Sequence, residues 1–376
     1  MKLAVGILLM KKHFAKNIAK LTVTHTELNI LTLVIKQWKE VFKMDKLMYN
    51  LNVEKAKHRI TTLYYQTNGY CYLGFSGGKD STIVLALIKQ LELGIPAVFC
   101  DTRIELDATY NFVRWVNDNY YPVKIIQPEK SFSQVLKEYG KPVKSKLRSH
   151  VLRAYQNNPE CKSAKQLFNK KVYRVSIANK DFHILHPDFK IKVSPACCDV
   201  LKKKPFATYA IENDMEGYFT GERIAEGGAR AAQAEKRVKE GKSICTKISG
   251  NYIAKAPIID WSDEMVEEFI RRENVPLSEA YTKYGMKRTG CCCCPFSKEL
   301  DEDLKTMWEH EPQKYKASMF WLKDVYIAQN VILPFDEEYE RERIEKWKNE
   351  YEPMRYEMLK KYKPDCKICK DYEKRK

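Results

Sequence analysis

Six residues, Ser76-Gly77-Gly78-Lys79-Asp80-Ser81, stand between two apolar runs, Cys71 to Phe75 and Ile83 to Ile88. The first run reads as a short buried strand and the second as a helix apolar around most of its girth. A strand that turns through glycines into a helix leaves the first helical N–H groups without partners. Those donors, with the positive end of the helix, form an anion site that glycines let a phosphate approach closely. Lys79 adds a mobile positive charge, and Ser76 and Ser81 add hydroxyl donors. The stretch is not a Walker A loop, because Asp80 follows the lysine and no glycine stands five residues before Gly78.

The second chemistry-bearing set is cysteine. Twelve cysteines fall at 71, 100, 161, 197, 198, 245, 291–294, 366 and 369. Tandem Cys197-Cys198 and the distant Cys291-x-x-Cys294, followed by Pro295, supply four thiolates from two loops. Such soft donors suit an iron–sulfur centre, with tetrahedral zinc as the runner-up and buried unliganded cysteines as the bland alternative. Cys292 and Cys293 are spare thiols. Cys366-x-x-Cys369 is compatible with a redox pair, half of a shared metal site, or an idle tail.

The loop resembles the S-G-G-K-D-S signature of the PP-loop ATP pyrophosphatase superfamily, whose members cleave ATP between the α and β phosphates and activate a substrate as its adenylate. "FCDTRIELDATYNFV", 99–113, resembles the second motif of the phosphoadenosine-phosphosulfate (PAPS) reductase branch. Asp101 and Thr102 match it, Arg103 replaces a glycine, and Asp107 and Thr109 lie near the expected acid and threonine. "YFTGERIAEGGAR", 218–230, resembles that branch's Gly-x-Arg with a following Glu and Arg, placing Gly221, Arg223, Glu226 and Arg230. Guanidinium forks suit phosphate and sulfate oxygens, although Glu226 and Arg230 are also spaced for a helical ion pair. The cysteine pattern resembles the four-cysteine [4Fe–4S] set of assimilatory sulfonucleotide reductases, and the lead-in, with Pro257, Trp261, Asn274, Pro276 and Tyr281, looks like the same branch.

The resemblance spans roughly residues 50–300. It implies Lys79, Asp80 and Arg223 as catalytic residues. Nucleotide contacts would come from Ser76 to Ser81, Asp101, Thr102, Gly221, Arg223, Glu226 and Arg230, and metal ligands from Cys197, Cys198, Cys291 and Cys294. It also implies ATP (or PAPS, or its unphosphorylated analogue APS) with Mg²⁺, and a [4Fe–4S] cluster. Sulfonucleotide reductases carry an eroded, acidic loop and a C-terminal Glu-Cys-Gly catalytic motif. Here the loop is intact, and the chain ends in "KPDCKICKDYEKRK", where Cys366 or Cys369 would have to substitute. The expected function is ATP cleavage to AMP and pyrophosphate, adenylating a substrate for sulfur transfer, with a sulfur donor protein as a partner. The alternatives are a PAPS or APS reductase producing sulfite, and a non-enzymatic nucleotide- and cluster-binding sensor.

The elements that must position these residues follow an α/β pattern. Strands are expected at 71–75, 97–101 and 123–127, with helices at 81–92 and 107–119, so the fold expected is a parallel twisted sheet with helices on both faces, adenine nucleotide alpha hydrolase-like, plus a helical C-terminal region. Ligands of such sheets sit at the carboxyl ends of strands, where the loop and Asp101 fall. The expected organisation is an N-terminal extension (1–45), the α/β domain with the cysteines (46–300) and a charged helical region (301–376). Ser262 reads as the N-cap of an amphipathic helix, and the aromatics of the C-terminal region read as packing.

With 376 residues, 44% of them hydrophobic, the chain can bury a core. Its 66 Lys and Arg against 49 Asp and Glu give a net charge of +17, which favours phosphate-bearing partners. Between 141 and 175 stand ten Lys or Arg residues and one acid, Glu160, with Tyr155, Phe168 and Tyr173 among them. That stretch reads equally as a surface for a nucleic-acid acceptor or another anionic substrate, or as a solvated face. The opening apolar run is too short for a membrane span and lacks a cleavage site. A cytoplasmic protein without membrane association, using cysteine for metal or redox work, is the expectation.

Overall fold

The computed structural model describes residues 25–169, 176–250, 252–292 and 294–374; for residues 25–45 and 229 it describes the backbone alone. Residues 1–24 of the expected N-terminal extension therefore lie outside the described residues, as do Lys170, Lys171, Tyr173, Arg174 and Cys293. The chain falls into two compact units, residues 1–55 and 56–376, and helix α1 (His25–Gln66) crosses their boundary. No helix among the described residues is long and apolar enough to cross a membrane.

The second unit is built on six strands: β1 (Cys71–Phe75), β2 (Ala97–Cys100), β3 (Val123–Ile126), β4 (Gly217–Phe219), β5 (Thr246–Ser249) and β6 (Tyr252–Lys255). Their order is β3-β2-β1-β4-β6-β5, and every neighbouring pair is parallel except β5 with β6. Strand β1 is central, with Leu73 opposite Ala97 on one side and Phe219 on the other. Its apolar residues Cys71, Tyr72, Leu73 and Phe75 are buried, as a strand covered on both faces requires. Helices α2 (Lys79–Leu91) and α3 (Asp107–Asn119) make the crossovers from β1 to β2 and from β2 to β3. The chain then returns to the other side of β1 as β4, so the strand order reverses between β1 and β4. Ligand crevices of open parallel sheets lie at such a reversal.

The three expected strands and two expected helices are present, with ends shifted by no more than two residues. The sheet is parallel as expected, with an antiparallel edge added by β5 and β6. That edge is a hairpin with Ser249 opposite Tyr252, and Gly250, at φ +60°, opens its turn. Ser262 caps helix α4 (Asp263–Arg272), accepting the Met265 N–H at 3.2 Å.

Beyond residue 297 the chain is helical, as expected, at Leu300–His310, Pro312–Ala328, Glu337–Lys346, Glu352–Tyr362 and Lys367–Glu373. These helices share one apolar core with residues 132–201, in which Phe182, Leu322, Tyr326, Tyr339 and Leu359 are buried. Two aromatics of the basic stretch, Tyr155 and Phe168, also go inward. Tyr155 is buried with its hydroxyl donating to Leu185 O at 3.3 Å, and Phe168 stacks on Tyr362 at 4.6 Å. Lys141, Lys144 and Lys146 pair with Asp324, Asp181 and Asp199, acids supplied from outside the stretch. Tyr155 and Phe168 are thus packing residues.

If the C-terminal helices and the 132–201 segment are one core, Leu359→Ala should cost about 2–5 kcal/mol, the transfer plus cavity penalty of a buried leucine. Urea unfolding checks this, and a loss near zero would contradict a shared core.

Candidate nucleotide and cysteine site

The loop is shaped mainly by its own side chains. The Ser76 and Ser81 hydroxyls lie 2.9 Å apart, and Ser81 Oγ and Thr82 Oγ1 donate to Gly78 O at 2.9 and 3.0 Å. Gly77 takes φ +70°, and a Cβ there would stand 3.0 Å from Thr109 Cγ2 and 3.1 Å from Val113 Cγ2 of α3. Both the backbone conformation and the close approach call for glycine. The Lys79 N–H, at the start of α2, donates to the Tyr281 hydroxyl at 3.1 Å. That hydroxyl also accepts the Thr289 N–H at 3.2 Å and meets Thr289 Oγ1 at 3.0 Å. A neutral oxygen thus satisfies one of the helix-start donors, while the Lys79 ammonium makes no hydrogen bond or ion pair among the described residues.

Across the strand reversal, Gly221 follows β4 and packs directly on the loop. A Cβ on it would lie 2.7 Å from both Asp80 C and Ser81 N. Arg223, 2% exposed, donates from Nε to Asp80 Oδ1 at 2.8 Å and from Nη1 to Trp261 O at 3.3 Å, and its Nη2 lies 2.9 Å from Asp263 Oδ1. Its three guanidinium nitrogens are thereby engaged by protein oxygens, so Arg223 is placed as an anchor for Asp80. Burial raises the Asp80 carboxyl above its ordinary range, and the charge of Arg223 opposes the rise. Glu226 accepts the Arg223 N–H at 3.2 Å and pairs with Arg230, the helical ion pair that their spacing allowed.

Asp101 caps a turn. Its Oδ1 accepts the Arg103 N–H at 3.0 Å and its Oδ2 accepts Gln127 Nε2 at 3.2 Å. Arg103 has φ +61°, so the position keeps the left-handed backbone for which glycine is the usual residue. Thr102 Oγ1 donates to the buried Glu105 carboxylate at 2.7 Å, and the Tyr110 hydroxyl donates to the same group at 3.0 Å.

Among the cavities that border this turn, two also reach the 76–81 loop or the cysteines. The larger, about 410 Å³, opens beside Ser76 and is walled by Tyr72, Gly74, Phe206, Tyr218 and Tyr252. Tyr72 is stacked with Phe206 and Tyr218 at 6.0 and 5.9 Å, a wall suited to a planar aromatic ring. The smaller, about 20 Å³, is lined by Cys197, Cys198, Cys291 and Cys294 with Ile104 and Leu201. Lys202 lines both cavities, and its ammonium stands 3.1 Å from Glu105 Oε1.

The four expected cysteines are therefore brought together. Cys197 and Cys198 lie on the short helix Ala196–Cys198, which continues through the π-helical turn Asp199–Lys203. The loop carrying Cys291 is tied to the segment after β2, where the Cys292 N–H donates to Ile104 O at 2.8 Å. Burial pushes the Cys291 thiol up to about 12 against the pull of Lys202, and raises Cys294 to about 11. The hydrogen bond between Cys197 and Cys198 holds Cys198 down, at about 6, and pushes Cys197 up. As a donor set this suits a soft metal or an iron–sulfur centre. No three His, Cys, Asp or Glu among the described residues are placed to hold a metal ion, and a 20 Å³ cavity must widen to admit a cluster. The sequence reading missed Lys202 and Glu105; the available signal was a lysine one helical turn after Cys198.

Arg223→Gln removes the cation beside Asp80. Breaking a buried pair from one side costs about 3–5 kcal/mol. Asp80 has a folded-state pKa above its ordinary value, so the native chain binds more protons in that window and stability falls as pH rises through it. Losing Arg223 raises the folded pKa further. The deficit should thus be full near neutral pH and shrink as pH falls through the folded pKa of Asp80. Urea titrations of both proteins across that range test this, and a pH-independent deficit would contradict it.

Comparison with known proteins places this geometry. The family model for the phosphoadenosine phosphosulfate reductase domain matches residues 70–162 and 145–297. An uncharacterized protein of Methanocaldococcus jannaschii is 26% identical over 267 residues, 67% of this chain and 44% of the relative; a second from that organism is 25% identical, covering 68% and 52%. The chain thus spans about half the length of these two relatives. An adenosine 5'-phosphosulfate reductase of Staphylococcus epidermidis is 22% identical, with 67% of this chain and 83% of that protein covered. Among solved structures, the PAPS reductase of Candida auris in a phosphate complex aligns with a TM-score of 0.38 at 16% identity, covering 63% of this chain and 87% of that one. With the family model covering more than half of its length, this chain belongs to the phosphoadenosine phosphosulfate reductase domain family.

Proposed function

We propose that the 76–81 loop holds the β,γ-pyrophosphate of Mg-ATP and that the protein adenylates an acceptor for sulfur transfer. The carrying observation is an intact loop, whose Lys79 ammonium makes no hydrogen bond or ion pair among the described residues, opening beside Ser76 on an aromatic-walled cavity of about 410 Å³. An acceptor oxygen attacks the α phosphorus, the bond to the β phosphate breaks, and pyrophosphate leaves. The Lys79 ammonium meets the charge that develops on the leaving group. Mg²⁺ supplies further neutralisation when bound, with Asp101 as the carboxylate at the neighbouring strand end. Asp80, held by Arg223, fixes the start of α2. A sulfur nucleophile from a donor protein then displaces AMP from the activated acceptor. In this reading Cys197, Cys198, Cys291 and Cys294 hold the [4Fe–4S] cluster, or zinc, and the cluster would supply soft Lewis-acid or redox chemistry when present. A nucleic acid is the acceptor class suited to the remaining charge of the 141–175 stretch.

A second reading, a PAPS or APS reductase releasing sulfite, is favoured by one observation. Lys202 lines both the large cavity and the cysteine cavity, which suits a nucleotide-bound sulfur group placed near thiols.

Lys79→Ala should lower pyrophosphate release from Mg-ATP about 10²–10³-fold, the loss typical for removing one preorganised donor from a charged transition state. Undiminished release would remove Lys79 from the reaction. In anaerobically prepared protein, Cys197→Ser and Cys294→Ser should each lose iron and the brown absorbance of a cluster. Unchanged iron in both variants would place the ligands elsewhere.

A further inference from the structure

The C-terminal cysteines lie outside both cavities, and none of the cysteine-cavity residues comes from the last two helices. Cys366 Sγ and Cys369 Sγ are nevertheless 3.3 Å apart. The two differ in access: Cys369 is 1% exposed within the apolar core, whereas Cys366 is partly exposed at the cap of the helix Lys367–Glu373. That helix is fixed against the preceding one, with Tyr372 stacked on Tyr356 at 4.3 Å and the Tyr356 hydroxyl donating to Glu373 at 2.8 Å. The sulfur pair is thus a feature of the folded chain. No third ligand joins it, since no three His, Cys, Asp or Glu among the described residues are placed to hold a metal ion. A disulfide needs the sulfurs at about 2.05 Å, within reach of a side-chain rotation at Cys366, which precedes the helix.

We propose that Cys366 and Cys369 form a two-electron dithiol–disulfide couple that reduces low-molecular-weight disulfides, with Cys366 the exchanging sulfur and Cys369 the resolving one. The Cys366 thiolate attacks one sulfur of the disulfide, forming a mixed disulfide and releasing the first thiol. The Cys369 thiolate then attacks Cys366 Sγ and releases the second. The protein loses two electrons and two protons, and the small disulfide becomes two thiols. Accessible and buried thiols suit these two roles, because only the first must meet an outside molecule.

The test equilibrates the full chain, kept anaerobic, at graded ratios of reduced to oxidised glutathione, followed by acid quenching, alkylation and tryptic mapping. Cleavage after Lys367 separates the two cysteines, so their disulfide is read as a linked peptide pair. The linked pair should rise along a single two-electron titration. Cys369→Ser should instead accumulate a glutathione adduct on Cys366, while Cys366→Ser should carry about tenfold less on Cys369, whose burial withholds it. Absence of the linked pair from the wild-type chain at every ratio overturns the proposal without recourse to a variant. Equal adducts on the two variants overturn the assignment of roles.

Discussion

The site depends on one close approach, the backbone of Gly221 against Asp80 and Ser81. There a Cβ would stand 2.7 Å from backbone atoms of the loop, so nothing larger than glycine fits without displacement. The approach ties the end of β4 to the start of α2 at the point where the strand order reverses. Arg223, two residues on, turns back to hold Asp80 and reaches Asp263 at the start of α4. Three elements distant in sequence are thus locked around one carboxylate. With the helix start fixed this way, the Ser76 and Ser81 hydroxyls hold each other at 2.9 Å.

Much of this was legible in the sequence, and the losses have physical causes. The loop and the flanking elements could be read because glycine placement and apolar periodicity are local signals. The convergence of Cys197, Cys198, Cys291 and Cys294 followed from residue type, but their arrangement around a 20 Å³ space did not. Arg223 was located correctly beside a strand end. Its engagement with Asp80, Asp263 and Trp261 was not visible, since those partners lie in three separate segments. The β5–β6 hairpin has a local signal too, since Gly250-Asn251 is a two-residue turn dipeptide. Tyr155 and Phe168, read as interleaved with cations, are packing residues because the C-terminal helices cover them, and that cover is a long-range event. Arg103 shows the converse. The residue departs from the glycine of the resembled motif, while the backbone keeps the left-handed conformation.

Lys202 gives the architecture a chemical direction. Its charge is held by Glu105, and Glu105 in turn is held by Thr102 and Tyr110. One ammonium therefore borders an aromatic-walled space and a cluster of four thiols. Ammonium beside thiol favours thiolate, and burial opposes it, as the raised Cys291 shows. Through Lys202, four thiols thus stand next to the larger cavity.

The central claim is that the loop recognises a nucleotide with β and γ phosphates. The thermal midpoint of anaerobically purified full chain, measured with Mg-ATP and separately with APS and PAPS, tests it most directly. A ligand bound only to the native state adds about 2.7 kcal/mol at a hundredfold excess over its Kd, enough to raise the midpoint measurably. The account predicts a rise with Mg-ATP that Lys79→Ala reduces. A rise with APS or PAPS alone, and none with Mg-ATP, would contradict it.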